Sequence, residues 1–257
     1  MTGPLRRGIA DRLADAGGVL VGLDFDGTLA PIAADPDAPT ITPACQQSLE
    51  ALVSHPRASV AVISGRELTD LERRVGLGEV VYAGNHGLEL RYGAHTVVHP
   101  AAARSRREVD RALERVAEGL ADVPGLEIEN KGLTATVHVR RTPARRIEEV
   151  HSAVEASVRE ANGLCVTSGK QVFEIRPAVD WDKGTAIDRI AREVPDGWLT
   201  VYLGDDVTDE DAFRAVRPDG IGVLVGSRDR TDAAYRLPTQ TAVAPFLDSL
   251  VTLLERR

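Results

Sequence analysis

Two stretches of this 257-residue chain place carboxylates where they could do chemistry. In the first, Asp24 and Asp26 stand two positions apart and are followed by Gly27 and Thr28. Acids this close repel one another, so a cation or a shared proton is needed to keep them there. One carboxylate can also act as a nucleophile toward phosphorus while its neighbour handles protons. The second stretch, Gly204 to Asp211, adds adjacent acids at Asp205 and Asp206, hard oxygen ligands of the kind Mg²⁺ prefers. Between the two lie a hydroxyl, Ser64, and an ammonium, Lys183, both suited to holding a phosphate. Each piece also has a bland reading. Asp serves turns, Ser64 caps a helix, and Thr208 with Asp209 to Asp211 reads as a helix start.

The elements around these residues decide between the readings. Val19 to Leu23 is an unbroken apolar run, the pattern of a strand buried on both faces of a parallel sheet. Asp24 then falls at the strand's carboxyl end, where open α/β sheets bind ligands. Further strands are expected at Ser59–Ile63, ending in Ser64-Gly65-Arg66, at Val80–Ala83, at Leu199–Leu203 and at Ile221–Val225. Helices are expected at Pro43–Ser54, Glu67–Val75, Gly184–Glu193 and Ala244–Arg256, with a loop over Ala33–Pro43. A leading helix carries Leu5, Ile9 and Leu13 at spacings of four. Arg66 reads either as a brace for its turn or as a surface charge. Asn85 and His86, bracketed by Gly84 and Gly87, are expected to line the cleft. Lys183 precedes a helix, a place that disfavours a cation by roughly 0.3–1 kcal/mol. Pairing with the carboxylates and an incoming phosphate would offset that; the alternative is a lysine reaching to water.

From Leu88 to Arg176 the rhythm changes to a hairpin about Tyr92-Gly93-Ala94, two amphipathic helices and alternating strands, the pattern of an α+β lid on an antiparallel sheet. The parallel pattern resumes after it, so the chain is read as a core, 1–87 with 177–257, interrupted by a cap, 88–176. Within the cap, Glu129 with Lys131, His138 with Arg140, and Lys170 with Glu174 set acids beside bases at strand ends. They read either as contacts to sugar hydroxyls or as cross-strand ion pairs. The formal charge of −8 argues against nucleic acid and anionic membranes as partners. The segment 88–176 holds 14 basic against 13 acidic residues and the remainder 17 against 26, so an anion is better received in the middle. No apolar run approaches the ~20 residues of a membrane span. The N-terminal stretch lacks a signal-peptide core. Cys45 and Cys165 show neither metal nor disulfide spacing, so a cytoplasmic setting is expected.

Taken in order, Asp24-Phe25-Asp26-Gly27-Thr28, Ser64-Gly65-Arg66, Trp181-Asp182-Lys183 and Gly204-Asp205-Asp206 resemble the four motifs of the haloacid dehalogenase superfamily. Asp24 to Ile32, Gly84 to Gly87, Glu129 to Lys131, Arg140, Lys170 and Glu174 to Pro177 narrow the resemblance to the trehalose-6-phosphate phosphatases. It implies a Rossmann-like α/β core with a central parallel sheet and an inserted α+β cap of the C2 type. It implies Asp24 as nucleophile, Asp26 as general acid and then base, and Ser64 and Lys183 on the phosphate. It further implies Mg²⁺ on Asp24, the Asp26 carbonyl and Asp205, with Asp206 close by. Glu129, Lys131, Arg140, Lys170 and Glu174 would grip the disaccharide of trehalose 6-phosphate, with a functional link to trehalose-6-phosphate synthase. Relatives commonly carry Tyr where Phe25 stands. Rival readings are a capped phosphatase for sucrose phosphate or glucosylglycerol phosphate, a non-catalytic phosphate sensor, and a receiver-like phosphoacceptor.

Overall fold

The computed structural model describes residues 3–33 and 38–256; the loop read over 33–43 lies partly outside them, at 34–37. The chain divides into two compact units, Met1–Val97 with Trp181–Arg257, and Val98–Asp180.

In the first unit, α1 (Gly3–Asp15) leads into β1 (Val19–Leu23), followed by α2 (Pro43–Val53), β2 (Ala58–Ile63), α3 (Leu68–Val75) and β3 (Val81–Gly84). The hairpin β4 (Glu89–Tyr92) and β5 (His95–Val98) comes next. The second unit holds α4 (Pro100–Gly119), β6 (Glu127–Asn130), β7 (Ala135–His138), α5 (Ile147–Arg159), β8 (Leu164–Gly169) and β9 (Val172–Pro177). The chain then supplies α6 (Lys183–Ala191), β10 (Leu199–Gly204), α7 (Asp209–Val216), β11 (Ile221–Val225), β12 (Tyr235–Leu237) and α8 (Val243–Glu255) to the first unit.

Eight strands form one sheet in the order β12-β11-β10-β1-β2-β3-β4-β5. The pairs from β12 through β3 are parallel, and β4 turns back antiparallel on β3. β1 is central and every one of its residues is buried, as its apolar run requires. Leu5, Ile9 and Leu13 of α1 join the core with Phe246, Leu247 and Leu250 of α8.

Two features depart from the sequence reading. The β4–β5 hairpin extends the core sheet instead of opening the inserted unit, which runs from Val98 to Asp180 and not from 88 to 176. The cause is the turn after β3: Asn85, His86 and Gly87 all take positive φ, reversing the chain so that Ala83 faces Leu90 and Gly84 faces Glu89. Leu90 then packs with Ala83 and Ile63 in the core. The second departure is β12, a three-residue parallel edge strand too short to carry a periodic signal.

The second unit is a four-stranded antiparallel sheet, β6-β7-β9-β8. Val137, Phe173 and Ile175 pack with Val109, Val116, Val150 and Val154 of α4 and α5, so both helices cover one face. No helix among the described residues is long and apolar enough to cross a membrane.

Candidate active site

The carboxyl ends of β1, β2 and β10 deliver the chemistry-bearing residues to one rim of the core sheet. Asp24 follows β1 directly and Ser64 follows β2, and these strands are parallel neighbours with Leu23 opposite Val62. Asp205 follows β10, the other neighbour of β1. Lys183 is the first residue of α6, whose N-cap Asp182 accepts the Thr185 amide at 2.8 Å.

The Lys183 ammonium lies 2.6 Å from Asp24 Oδ1 and 2.7 Å from Asp209 Oδ1, and all three side chains are almost wholly buried. The cation that a helix N-terminus disfavours is therefore held by two carboxylates. Burial opposes its charge, but Asp209 and Asp24 outweigh that and hold the Lys183 pKa above its usual value. Asp24 moves up as well: desolvation dominates, Lys183 opposes it, and Asp209 and Asp205 add repulsion. Asp205 is pushed up to about 7, first by burial and then by Asp209, against the pull of Lys183.

Oxygen atoms of Asp24, Asp205 and Asp209 lie within 4.8 Å of one another. Three carboxylates facing one ammonium leave a formal charge of −2, which a divalent ion would cancel. Two further observations fit such an ion. Asp205 Oδ1 is buried with no hydrogen-bond partner among the described residues. At Gly27, with φ +90°, a Cβ would stand 2.3 Å from the Asp205 carboxylate, so the loop leaves a cradle that a side chain would fill.

Asp209 is engaged differently. Its Oδ1 also accepts the Tyr202 hydroxyl at 2.8 Å, and its Oδ2 accepts the amides of Asp205 at 3.0 Å and Asp206 at 2.9 Å. Four donors occupy this carboxylate, so it shapes the loop and fixes the lysine, while Asp24 and Asp205 offer oxygens to a metal.

Several expected roles change. Asp206 does not join the acid group: its side chain is exposed and pairs with Arg228 at 3.4 Å. The α7 helix turns the next carboxylate inward at Asp209, one helical turn beyond Asp205. The Asp26 carboxylate, whose backbone carbonyl and not its side chain was expected at a metal, lies outside the group; both its oxygens accept from Arg66, at 2.7 Å each. Asn85 does not line a cleft. It is fully buried and donates its amide to Glu89 Oε1 at 2.7 Å, where Glu89 also accepts the Leu68 amide at α3. Ser64, expected as a possible helix cap, is not one: α3 begins at Leu68, and Ser64 Oγ accepts the Arg66 amide at 3.2 Å.

His86 sits against the Ser64-Gly65-Arg66 turn, its ring 2.7 Å from where a Gly65 Cβ would be, and its amide donates to Ser64 O at 2.9 Å. The next residue, Gly87, lets Ala186 of α6 and the indole of Trp181 approach to within 2.3 and 3.2 Å of its missing Cβ. Sequence reasoning missed Asp209 as the partner of Lys183 and Tyr202 as its second donor. A tyrosine in a largely buried apolar strand, with an acid four residues beyond Asp205, was the available signal.

In the second unit, strand register sets Glu129, Thr136, Glu174 and Thr167 in one row on the face opposite the helices. Lys131 Nζ lies 3.9 Å from Glu174, and His138 Nε2 lies 3.0 Å from Glu129. Arg140 donates to Gln171 at 3.1 Å, and Lys170 with Gln171 forms the tight β8–β9 turn.

A family model for trehalose-phosphatase matches residues 22–241, nearly the whole described chain. The chain belongs to the trehalose-phosphatase family. Among its relatives, the trehalose-phosphate phosphatase of Mycobacterium marinum is 38% identical over 90% of this chain and 61% of its own length. That of Mycobacterium tuberculosis is 38% identical over 96% of this chain and 64% of its own. The chain thus spans somewhat under two thirds of these relatives. Among solved structures, a trehalose-6-phosphate phosphatase related protein superposes with a TM-score of 0.82 at 26% identity, covering 93% of this chain and all of that one. A haloacid dehalogenase-like hydrolase from Bacteroides thetaiotaomicron, at 17% identity and a TM-score of 0.65 over 93% of this chain and 99% of its own, shares the fold. The family's core is thus a parallel-rich α/β sheet with an inserted α/β unit, as the motif order implied.

Proposed function

We propose that the chain is a Mg²⁺-dependent phosphatase that hydrolyses trehalose 6-phosphate to trehalose and phosphate. The observation that supports this most directly is the Asp24 carboxylate held at 2.6 Å by Lys183, with an Asp205 oxygen within 4.8 Å of those of Asp24 and Asp209. Asp24 Oδ attacks phosphorus and the bond to the sugar oxygen breaks. Asp26 gives that oxygen a proton, then takes one from the water that cleaves the aspartyl-phosphate. Lys183 and Ser64 hold the phosphoryl oxygens and offset repulsion between the two anions. Bound on Asp24, the Asp26 carbonyl and Asp205, Mg²⁺ would supply charge to the transferring group. The unit Val98–Asp180 is the specificity cap, with Glu129, Lys131, Arg140, Lys170 and Glu174 as its sugar contacts and His86 at the core rim. The reading places the enzyme in the cytoplasm, compatible with free thiols at Cys45 and Cys165, and downstream of a trehalose-6-phosphate synthase.

Phosphate release from a panel of sugar phosphates, with and without Mg²⁺, tests the assignment. Turnover of trehalose 6-phosphate well above sucrose phosphate and glucosylglycerol phosphate is expected, and chelation should abolish it. Equal rates across the panel would remove the disaccharide from the proposal. Glu174→Ala should raise KM for trehalose 6-phosphate about tenfold or more, the worth of one to two hydrogen bonds to a charged group, and leave 4-nitrophenyl phosphate nearly unchanged. A matched loss on both substrates would sink the cap assignment.

Metal affinity should depend on pH. Burial and Asp209 push Asp205 up to about 7, so below that value a proton competes with the metal for this carboxylate. Asp24, the other carboxylate ligand, is raised as well, so the apparent Mg²⁺ affinity should climb with pH through this range by about tenfold or more per unit. Without metal the sign reverses. The folded pKa of Asp205 is raised, so this group's contribution to stability is full below the ordinary carboxylate range and is lost as pH rises through about 7. Thermal melts at pH 5.5, 6.5 and 8, with and without Mg²⁺, measure both trends, and a metal-induced shift independent of pH would refute them.

A further inference from the structure

Arg66 leaves the turn after β2 and reaches back to the loop after β1. Its Nε donates to Asp26 Oδ2 and its Nη2 to Asp26 Oδ1, each at 2.7 Å, the two parallel bonds of a guanidinium–carboxylate fork. Its Nη1 donates to Asp70 Oδ2 on α3 at 3.1 Å. The buried Phe25 ring lies 5.5 Å from its Cζ, within cation–π range. Asp70 is itself tied down: Arg74 donates to it at 2.6 Å and also to the Pro39 carbonyl at 2.6 Å. The fork is thus held by a ring and by a second ion pair anchored on α3.

An exposed ion pair adds little to stability, because two flexible side chains must be ordered in water. This one differs in where its mobility ends. The Arg66 side chain is only 13% exposed, whereas that of Asp26 is 37% exposed. The buried partner is rigid and the accessible one is the carboxylate that the phosphatase reading uses for proton transfer. Two parallel bonds fix both the direction and the plane of that carboxylate, and each oxygen retains a further lone pair. A lysine, as a point charge, would set neither.

We propose that Arg66 is a positioning residue that orients the Asp26 carboxylate toward the leaving oxygen, and that Asp70 in turn fixes Arg66. The inference rests on the reading of Asp26 as general acid. Orientation matters because proton delivery needs the donor within about 2.6–3.2 Å of its target.

The test compares wild type, Arg66→Ala, Arg66→Lys and Asp70→Asn in single turnovers with enzyme in excess and Mg²⁺ present. One substrate is trehalose 6-phosphate, whose alkoxide leaving group needs a proton. The other is 4-nitrophenyl phosphate, whose leaving group does not. Wild-type turnover addresses the phosphatase reading separately: an inactive wild type refutes that reading, whatever the variants do. With active wild type, Arg66→Ala should slow trehalose release about 10²-fold or more, the lower range for general acid catalysis, while nitrophenolate release stays within about tenfold. Arg66→Lys should recover little, and added guanidinium ion should recover part of the Arg66→Ala loss. Asp70→Asn, which leaves the Arg66–Asp26 fork in place, should show the same selectivity at smaller size and serves if Arg66→Ala does not fold. Equal slowing of the first step on both substrates overturns the proposal. So does a rise in KM on both with rates unchanged, which would make Arg66 a phosphate ligand.

Discussion

Asp24→Asn should yield a folded protein that releases no phosphate from any monoester, with turnover down by at least about 10⁴-fold, because the covalent route is lost with its nucleophile. The substitution is nearly isosteric and removes one of three clustered carboxylates, two of which, Asp24 and Asp209, share the Lys183 ammonium. Burial and the charges of Asp209 and Asp205 already disfavour the ionised form of Asp24. The amide should therefore melt at or above the wild-type temperature when no metal is present. Circular dichroism melts with phosphate assays measure both effects. An active Asp24→Asn protein would remove Asp24 as nucleophile, and a strongly destabilised one would contradict repulsion among the Asp24, Asp205 and Asp209 carboxylates.

Lys183→Met should do the opposite to stability. Breaking a buried ion pair from one side leaves uncompensated charge, typically about 3–5 kcal/mol. In a domain this size that corresponds to a fall of roughly 10 °C in melting temperature. Activity should vanish as well, since the ammonium is the cation that accompanies the phosphate. Adding Asp209→Asn to Lys183→Met removes part of the stranded charge and should recover some stability and no activity. The two changes are then non-additive, as residues in direct contact are. A Lys183→Met protein as stable as wild type would show that the ammonium does not hold the carboxylates together.

Much of the core was legible because buried parallel strands announce themselves. β1 runs over the residues its apolar run delimits, and β11 does likewise. Asp24, Ser64, Lys183 and Asp205 fall where strand ends and helix starts put them. What escaped notice depends on side-chain direction, which spacing alone does not specify. Asp206 neighbours Asp205 in sequence and faces outward, whereas Asp209 is further along and is turned inward by the first turn of α7. Asn85 reads as a polar turn residue, but its left-handed backbone directs the amide down to Glu89. The alternation of the β4–β5 hairpin resembles that of the strands after it, and only its pairing with β3 reveals its sheet.

The chain has two tryptophans, and they sit at opposite ends of the core sheet. Trp198 packs on Gly18 before β1, far from the acids, whereas Trp181 lies against Gly87, beside the His86 turn. The molecule thus carries a built-in optical pair, one fluorophore next to the reactive rim and one as internal reference. Emission from Trp181 should respond when an inert phosphate mimic such as vanadate occupies the rim, while Trp198 stays constant. Occupancy could then be followed without a label or a coupled assay.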